Sequence, residues 1–366
     1  MDSAIERLSV LDQSPISEGS TGSRALRQTI ELAMLVERLG YHRYWVSEHH
    51  GGPMLAGPSP EALIGPIASA TSRMRIGSGG VMLPHYSPFK VAESFSLLAG
   101  LFPERIDLGI GRAAGTDPMT AHALQRDRRP VVRSSPDQRS GSGPTLGMPD
   151  DFPQQLAELL AYLDDRLPPG HPFARLAKAL PGAPEKPEPW LLGSSPQSAM
   201  WAGETGLPYA FADFINPNGA EIAQLYRDRF VDSEHLLAPQ LAVAAWAVAA
   251  DTEEEAGQLA SSSQMAMREL RAGRLIAVPP VEKAMRYLER RAENGGAPGS
   301  RRLILGTGQQ VRAGLEELAG SYGADEVIVV TITHDPQARR HSYELIADAF
   351  GLGNSDVAAP SGASAS

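Results

Sequence analysis

The chain contains no cysteine, which removes disulfides, thiolate nucleophiles, cysteine-ligated zinc and iron–sulfur clusters together. It also lacks any cluster of Lys and Arg. With 33 basic against 43 acidic residues the formal net charge is -10, so no nucleic-acid partner is expected. No apolar run approaches the roughly 18 residues that would span a bilayer. Residues 1–7 are acidic, where a signal peptide would be basic and then apolar. A cytoplasmic protein with no membrane partner is the expectation. There is no H-E-x-x-H motif and no set of Asp and His at other strand ends, so no metal is expected either.

What is present is an alternation. Short apolar runs at 8–13, 44–48, 74–83, 105–110, 190–193, 209–214, 241–249 and 326–333 read as strands. Helical patterns fill the intervals at 23–39, 60–71, 88–101, 151–163, 196–204, 218–230, 309–322 and 337–350. In the first of them Leu26, Ile30, Ala33, Met34 and Val36 fall close to helical spacing, and Gly40 stops the pattern. Strand and helix in strict alternation predict an α/β fold, a (β/α)8 TIM barrel, as a single domain over residues 1–352. The 366 residues, 42% hydrophobic, suffice for its core.

Two stretches interrupt the rhythm, after the fourth and seventh strands. Residues 116–150 include 129–148, rich in Pro, Ser, Gly and Arg without apolar period, and are expected to form an excursion or lid. Residues 252–300 carry two further helical patterns, 252–271 and 280–293, joined by an apolar linker, and are expected as a flap over the barrel mouth. The tail 353–366 has little to bury and is expected to be disordered.

The run Arg43-Tyr44-Trp45-Val46-Ser47-Glu48-His49-His50-Gly51 ends a strand in three ionisable side chains. In barrels of this kind, catalytic groups sit where strands end. Strand alternation sends Glu48 and His50 to one side and His49 to the other, which weakens a metal reading and leaves an acid, base or hydrogen-bond donor. Gly109-Ile110-Gly111-Arg112-Ala113-Ala114 matches a loose dinucleotide fingerprint, but the polar residues after it carry neither the required helix nor the acidic strand end. Arg112 is better read as an anion ligand between glycines, against the plainer reading of a surface ion pair. Gly193-Ser194-Ser195-Pro196-Gln197-Ser198 opens a helix and suits either an anion site or simple N-capping. Gly79-Gly80 inside a core strand signals a bulge or a close backbone approach. A glycosidase pair would need facing carboxylates, for which only Glu48 and Asp213 qualify.

Taken together, these pieces resemble the bacterial luciferase-like family of flavin-dependent monooxygenases. The resemblance rests on Leu11-Asp12-Gln13-Ser14-Pro15, the W-x-x-E-H-H strand end, the run from Gly77 to Pro84, the strand from Arg105 to Arg112, and the Ser195 helix with its Gly206-Leu207-Pro208 exit. It implies a barrel with FMN at the C-terminal strand ends. Arg112 is similar to the family's phosphate-holding arginine, with Ser195 and Ser198 as hydroxyl and backbone ligands. Gly79-Gly80 is similar to its non-proline cis peptide against the flavin ring, and His49 to its active-site histidine. Gly111 stands where luciferase has a reactive cysteine, so a non-luminescent member is implied. The resemblance lies nearest to actinobacterial pathway enzymes, including those tailoring aromatic polyketides.

The implied reaction uses reduced FMN, O2 and a flavin C4a-hydroperoxide to oxygenate a small organic substrate. The chain carries no nicotinamide fingerprint of its own, so a separate NAD(P)H:flavin reductase is the expected partner. A homodimer is expected as well. Two alternatives stay open: an F420-dependent oxidoreductase of the same fold, and a non-catalytic flavin-binding protein.

Overall fold

Every residue of the run Leu241–Ala249 is buried. A strand covered on both faces belongs to a parallel sheet wrapped by helices, and the rest of the chain builds that sheet. The computed structural model describes residues 5–113, 115–125, 131–133, 145–147, 151–293 and 302–353. In chain order the elements begin with β1 (Arg7–Asp12), α1 (Gly22–Leu39), β2 (Arg43–Val46), α2 (Pro60–Ala70), β3 (Arg75–Met82), α3 (Pro88–Leu101) and β4 (Ile106–Gly111). Then come α4 (Pro118–Leu124), a small antiparallel pair β5 (Val131–Arg133) and β6 (Thr145–Gly147), α5 (Phe152–Leu163) and α6 (Ala174–Ala177). The second half runs β7 (Glu188–Gly193), α7 (Pro196–Glu204), β8 (Tyr209–Ala212), α8 (Ala220–Asp228), β9 (Leu241–Ala249), α9 (Glu253–Arg271) and α10 (Val281–Glu293). It ends with β10 (Ile304–Gly306), α11 (Gly308–Tyr322), β11 (Glu326–Val330) and α12 (Pro336–Phe350).

Strands β1, β2, β3, β4, β7, β8, β9 and β11 pair in parallel in that order, and β11 closes onto β1. This is the (β/α)8 barrel, and each of its strands coincides with one of the apolar runs read from the sequence. Helix starts follow local chemistry. Pro60, Pro88, Pro196 and Pro336 open α2, α3, α7 and α12, where proline's missing N–H has no intrahelical partner to lose. Gly40 ends α1 in the left-handed region at φ 90, with its N–H returned to Glu37 and Val36.

Apolar side chains fill two shells. The outer one lies between strands and helices and includes Leu8, Tyr44, Ile76, Leu108, Tyr209 and Tyr343. The inner one includes Leu11, Trp45, Trp190, Ala244, Trp246 and Ile328. One end of the inner shell is plugged by Arg43, which donates to Asp107 and Glu326 at 2.7 Å each and lies 4.6 Å from the Trp190 ring centroid. Asp107 also accepts from Arg75 and Trp45. Burial would raise the Asp107 carboxyl, but Arg43 and Arg75 pull it below the ordinary range. A buried charge persists only with such partners.

Five elements were not foreseen. Strand β10 adds to β9 outside the ring, α4 forms within the polar stretch after β4 with Asp117 as its cap, and α6 and the β5–β6 pair are short. Residues 126–130, 134–144 and 148–150, most of the expected lid, lie outside the described residues, as do 294–301 of the second excursion and the tail from 354. Helices α9 and α10 do form. Val278 between them is fully buried and bonds the loop after β1 through Ile16 and Glu18, bringing this excursion onto the barrel mouth.

Candidate active site

All eight barrel strands contribute to one cavity of about 550 Å³, within the usual range for a small-molecule pocket. Leu11, Trp45, Ala210, Ala244 and Ile328 supply its apolar wall, from β1, β2, β8, β9 and β11. Small residues on β8 and β9 leave the space that larger side chains would fill. Gly79, Gly80 and Met82 of β3 and Gly111 of β4 form a second side. The Gly79–Gly80 peptide is cis. A Cβ on Gly80 would stand 2.7 Å from the Gly109 carbonyl oxygen, and one on Gly79 would stand 2.6 Å from Leu11 Cδ1. Packing therefore keeps this stretch of wall bare backbone.

The rim is polar. Arg112, just past β4, is exposed, and its guanidinium lies 5.4 Å from the Trp201 ring centroid on α7. Among the described residues it is the only charged one lining the cavity. Across from it, β7 ends at Gly193 and Ser195 caps α7. The Ser198 N–H donates to Ser195 Oγ and the Ser195 N–H to Ser198 Oγ, both at 3.3 Å, closing a reciprocal capping box. Ser198 is buried and is also 2.8 Å from the Tyr209 hydroxyl. The two serines are thus helix caps and cavity walls at once. A Cβ on Gly193 would sit 2.2 Å from Ser198 Oγ, so glycine there gives the cap its room.

Of the residues singled out in the sequence, Gly79, Gly80, Arg112, Ser195 and Ser198 all line this cavity. His49 does not. Its Nδ1 lies 3.0 Å from Ser47 Oγ and its backbone N–H donates to the Gly57 carbonyl. Burial, with a smaller contribution from His50, lowers its pKa to about 4, so the imidazole is neutral at pH 7. Glu48 is fully buried. It accepts from the Met82 N–H and Tyr86 hydroxyl at 2.9 Å each and pairs with His50 at 2.8 Å. This carboxylate ties β2 to β3 beside Met82 and has a structural office. Asp213 accepts from the Tyr322 hydroxyl at 2.8 Å. Neither carboxylate lines the cavity, which removes the glycosidase pair.

Trp45, Met82, Trp201, Phe214 and Ile215 were missed by the sequence reasoning, since their convergence follows from barrel closure. Trp201 alone had a local signal: it lies one helical turn beyond Ser198. Among the described residues one group of metal-ligating side chains gathers, Asp164, Glu234 and His235. Lys186 Nζ already lies 3.3 Å from Asp164 there, and the group reads as an ion-pair network.

An apolar slot with one bare backbone wall and a single cation at its rim suits a flat heteroaromatic cofactor carrying an anionic tail. The comparisons agree with this class. The chain matches the model of the luciferase-like monooxygenase family over residues 7–326; it belongs to that family, as a flavin-dependent monooxygenase. It is 43% identical over 350 residues to the uncharacterized protein YwcH of Bacillus subtilis, covering 94% of this chain and 98% of that one. It is 36% identical over 351 residues to the N-acetyl-S-alkylcysteine monooxygenase of the same organism, covering 94% and 98%. The solved structure of apo-MsnO8 superposes with a TM-score of 0.81 at 38% identity, covering 95% of this chain and 98% of that one. No helix among the described residues is long and apolar enough to cross a membrane.

Proposed function

We infer that the protein is an FMN-dependent oxygenating component that receives reduced FMN from a separate NAD(P)H:flavin reductase and uses O2 to oxygenate a small organic substrate. The supporting observation is the meeting of Gly79–Gly80, Arg112 and the Ser195 cap around one apolar cavity. When bound, the reduced flavin supplies the oxygen-activating chemistry. The chain's own residues do the rest. Arg112, Ser195 and the first turn of α7 would hold the phosphate through charge and N–H donors. The bare Gly79–Gly80 wall would face the ring. Leu11, Trp45, Ala244 and Ile328 exclude water from it. His49 does not line the cavity, and no proton-transfer step is assigned to it.

The deazaflavin F420 is the second reading. Solved proteins with the same barrel include one in complex with FMN and one with an F420-acetone adduct, at 18% and 12% identity. The fold alone therefore accommodates either. Oxygen chemistry favours FMN, because F420 transfers hydride and does not activate oxygen in the same way. Two substrate types merit testing: an aromatic polyketide-type metabolite, from the sequence resemblance, and an S-alkyl thioether, from the name of the Bacillus subtilis relative. A homodimer is part of the proposal, and light scattering reads it directly.

The test pairs the purified protein with a flavin reductase, NADH and FMN in an oxygen electrode, in parallel with chemically reduced F420. The proposal expects FMN-dependent, substrate-dependent O2 uptake above the reductase background. Retention of F420 with hydride transfer and no O2 uptake would favour the deazaflavin reading. FMN binding with no uptake across the substrate panel would favour a non-catalytic flavin binder.

A further inference from the structure

A second cavity, of about 450 Å³, opens between α1 and α12 beside the exits of β1 and β11, and shares no lining residue with the mouth cavity. Four arginines line it: Arg24 and Arg27 from α1, Arg339 and Arg340 from α12. Arg24, Arg27 and Glu31 follow one another at three and four residues, so they form one stripe along the helix. The α12 side presents that helix's first turn, where the Asp335 carboxylate already accepts from the Gln337 N–H. In a chain with a formal net charge of -10, this is a local reversal of sign.

Two of the four arginines meet a carboxylate, Arg339 closely at Asp12 and Arg340 loosely at Glu31. Among the described residues no carboxylate pairs with Arg24 or Arg27. Arg340 Nη1 stands 3.7 Å from Glu31 Oε2, outside hydrogen-bond reach. Only Arg339 is fully engaged on one edge. It is buried, its Nε donates to the Thr331 carbonyl at 2.9 Å, and its Nη2 donates to Asp12 at 2.5 Å. Asp12 is itself fixed by the Ser14 N–H and the Tyr44 hydroxyl. Arg339 is therefore a rigid cation in the cavity wall, while the other three are longer-reaching cations around it. Counting Glu31, Asp12 and the capping Asp335 against the four arginines leaves a formal charge of +1.

Like charges gathered around an empty space repel one another, and a bound anion converts that cost into attraction. Guanidinium groups match phosphate oxygens through paired N–H donors. The space, about 450 Å³, admits a compact ligand. We propose that this cavity binds a small molecule bearing a phosphate or diphosphate group, at a site separate from the flavin phosphate cradle.

Isothermal titration with sodium pyrophosphate tests this on the full chain, on Arg27→Ala/Arg340→Ala, on Glu31→Gln and on Arg112→Ala. Alanine is a good helix former, so the arginine substitutions leave α1 and α12 intact, as a circular-dichroism melt checks. Saturable binding is expected in the parent and, at the same Kd, in Arg112→Ala. The double variant should weaken it by about tenfold or more, and Glu31→Gln should tighten it. A parallel titration with ADP separates the sources: the same variant pattern assigns the site to nucleoside diphosphates, and pyrophosphate binding alone assigns it to the inorganic ion. Three results overturn the proposal. These are no saturation by about 10 mM, an unchanged Kd in the double variant, and loss of binding in Arg112→Ala alone.

Discussion

Arg112→Ala separates the proposed phosphate cradle from every other feature of the mouth cavity. The guanidinium is exposed at the rim and rests 5.4 Å from the Trp201 ring centroid, with no other charged residue lining the space. A charge-assisted hydrogen bond contributes about 1.5 to 3 kcal/mol, which is roughly ten- to a hundredfold in Kd. Water at the rim weakens such a contact, so the expectation falls at the lower end, about tenfold. Loss of the contact with Trp201 subtracts at most about 1 kcal/mol of stability. The assay is flavin fluorescence quenching with FMN and with riboflavin, which has the same ring and no phosphate. The parent should prefer FMN, and in Arg112→Ala that preference should shrink by the predicted factor while riboflavin affinity holds. Arg112→Lys keeps the charge but loses the planar fork, and should fall between them. An FMN-to-riboflavin ratio that does not change in Arg112→Ala would refute the assignment.

Three further outcomes are expected. In Gly193→Ala the new Cβ would stand 2.2 Å from Ser198 Oγ; forcing Ser198 out of the capping box should cost about 1 to 3 kcal/mol in urea unfolding and weaken FMN binding together. Asp107→Ala leaves Arg43 buried without its main partner, and should destabilise by about 3 to 5 kcal/mol, read by chemical denaturation. His49 and His42 are both lowered from 6.5 to about 4, chiefly by burial. Between those values the unfolded chain binds protons that the folded chain does not, so stability falls as pH drops through that window. His49→Asn should remove up to about 1.4 kcal/mol per pH unit from that slope; a slope equal to the parent's would contradict the burial of the ring.

The barrel was legible because its strands are short, nearly continuous apolar runs closed by glycine or by a capped, proline-led helix. Leu241–Ala249 is the plainest case, with every residue buried. The extra strand Ile304–Gly306 was not legible. It is brief, and its only pairing is with residues 247–249, which lie far away in sequence. Helix α4 was hidden by its brevity: its 7 residues are too few to show an apolar period, none is buried, and it rests on the Asp117 cap with Pro118 behind it. Within the site, glycine pairs and a lone arginine after a strand carried their own signal. The apolar wall did not, since Leu11, Ala244 and Ile328 read as ordinary core until closure brings β1, β9 and β11 around one space. Around His49 the two-residue alternation held, with Glu48 and His50 paired at 2.8 Å and His49 turned to Ser47, but β2 ends at Val46 and the ring does not line the cavity. Past that point the backbone turns to bond Gly57, and the alternation alone does not say which side the cavity will occupy.

The central claim is that this cavity holds reduced FMN and governs its reaction with O2. Stopped-flow mixing of anaerobic, reduced-FMN-loaded protein with oxygenated buffer tests it most directly. The account predicts a flavin reoxidation phase that differs in rate and absorbance spectrum from free reduced FMN and that disappears when Arg112→Ala is used at a flavin concentration below its Kd. A trace identical to that of free FMN, in the parent protein at saturating concentration, would contradict it.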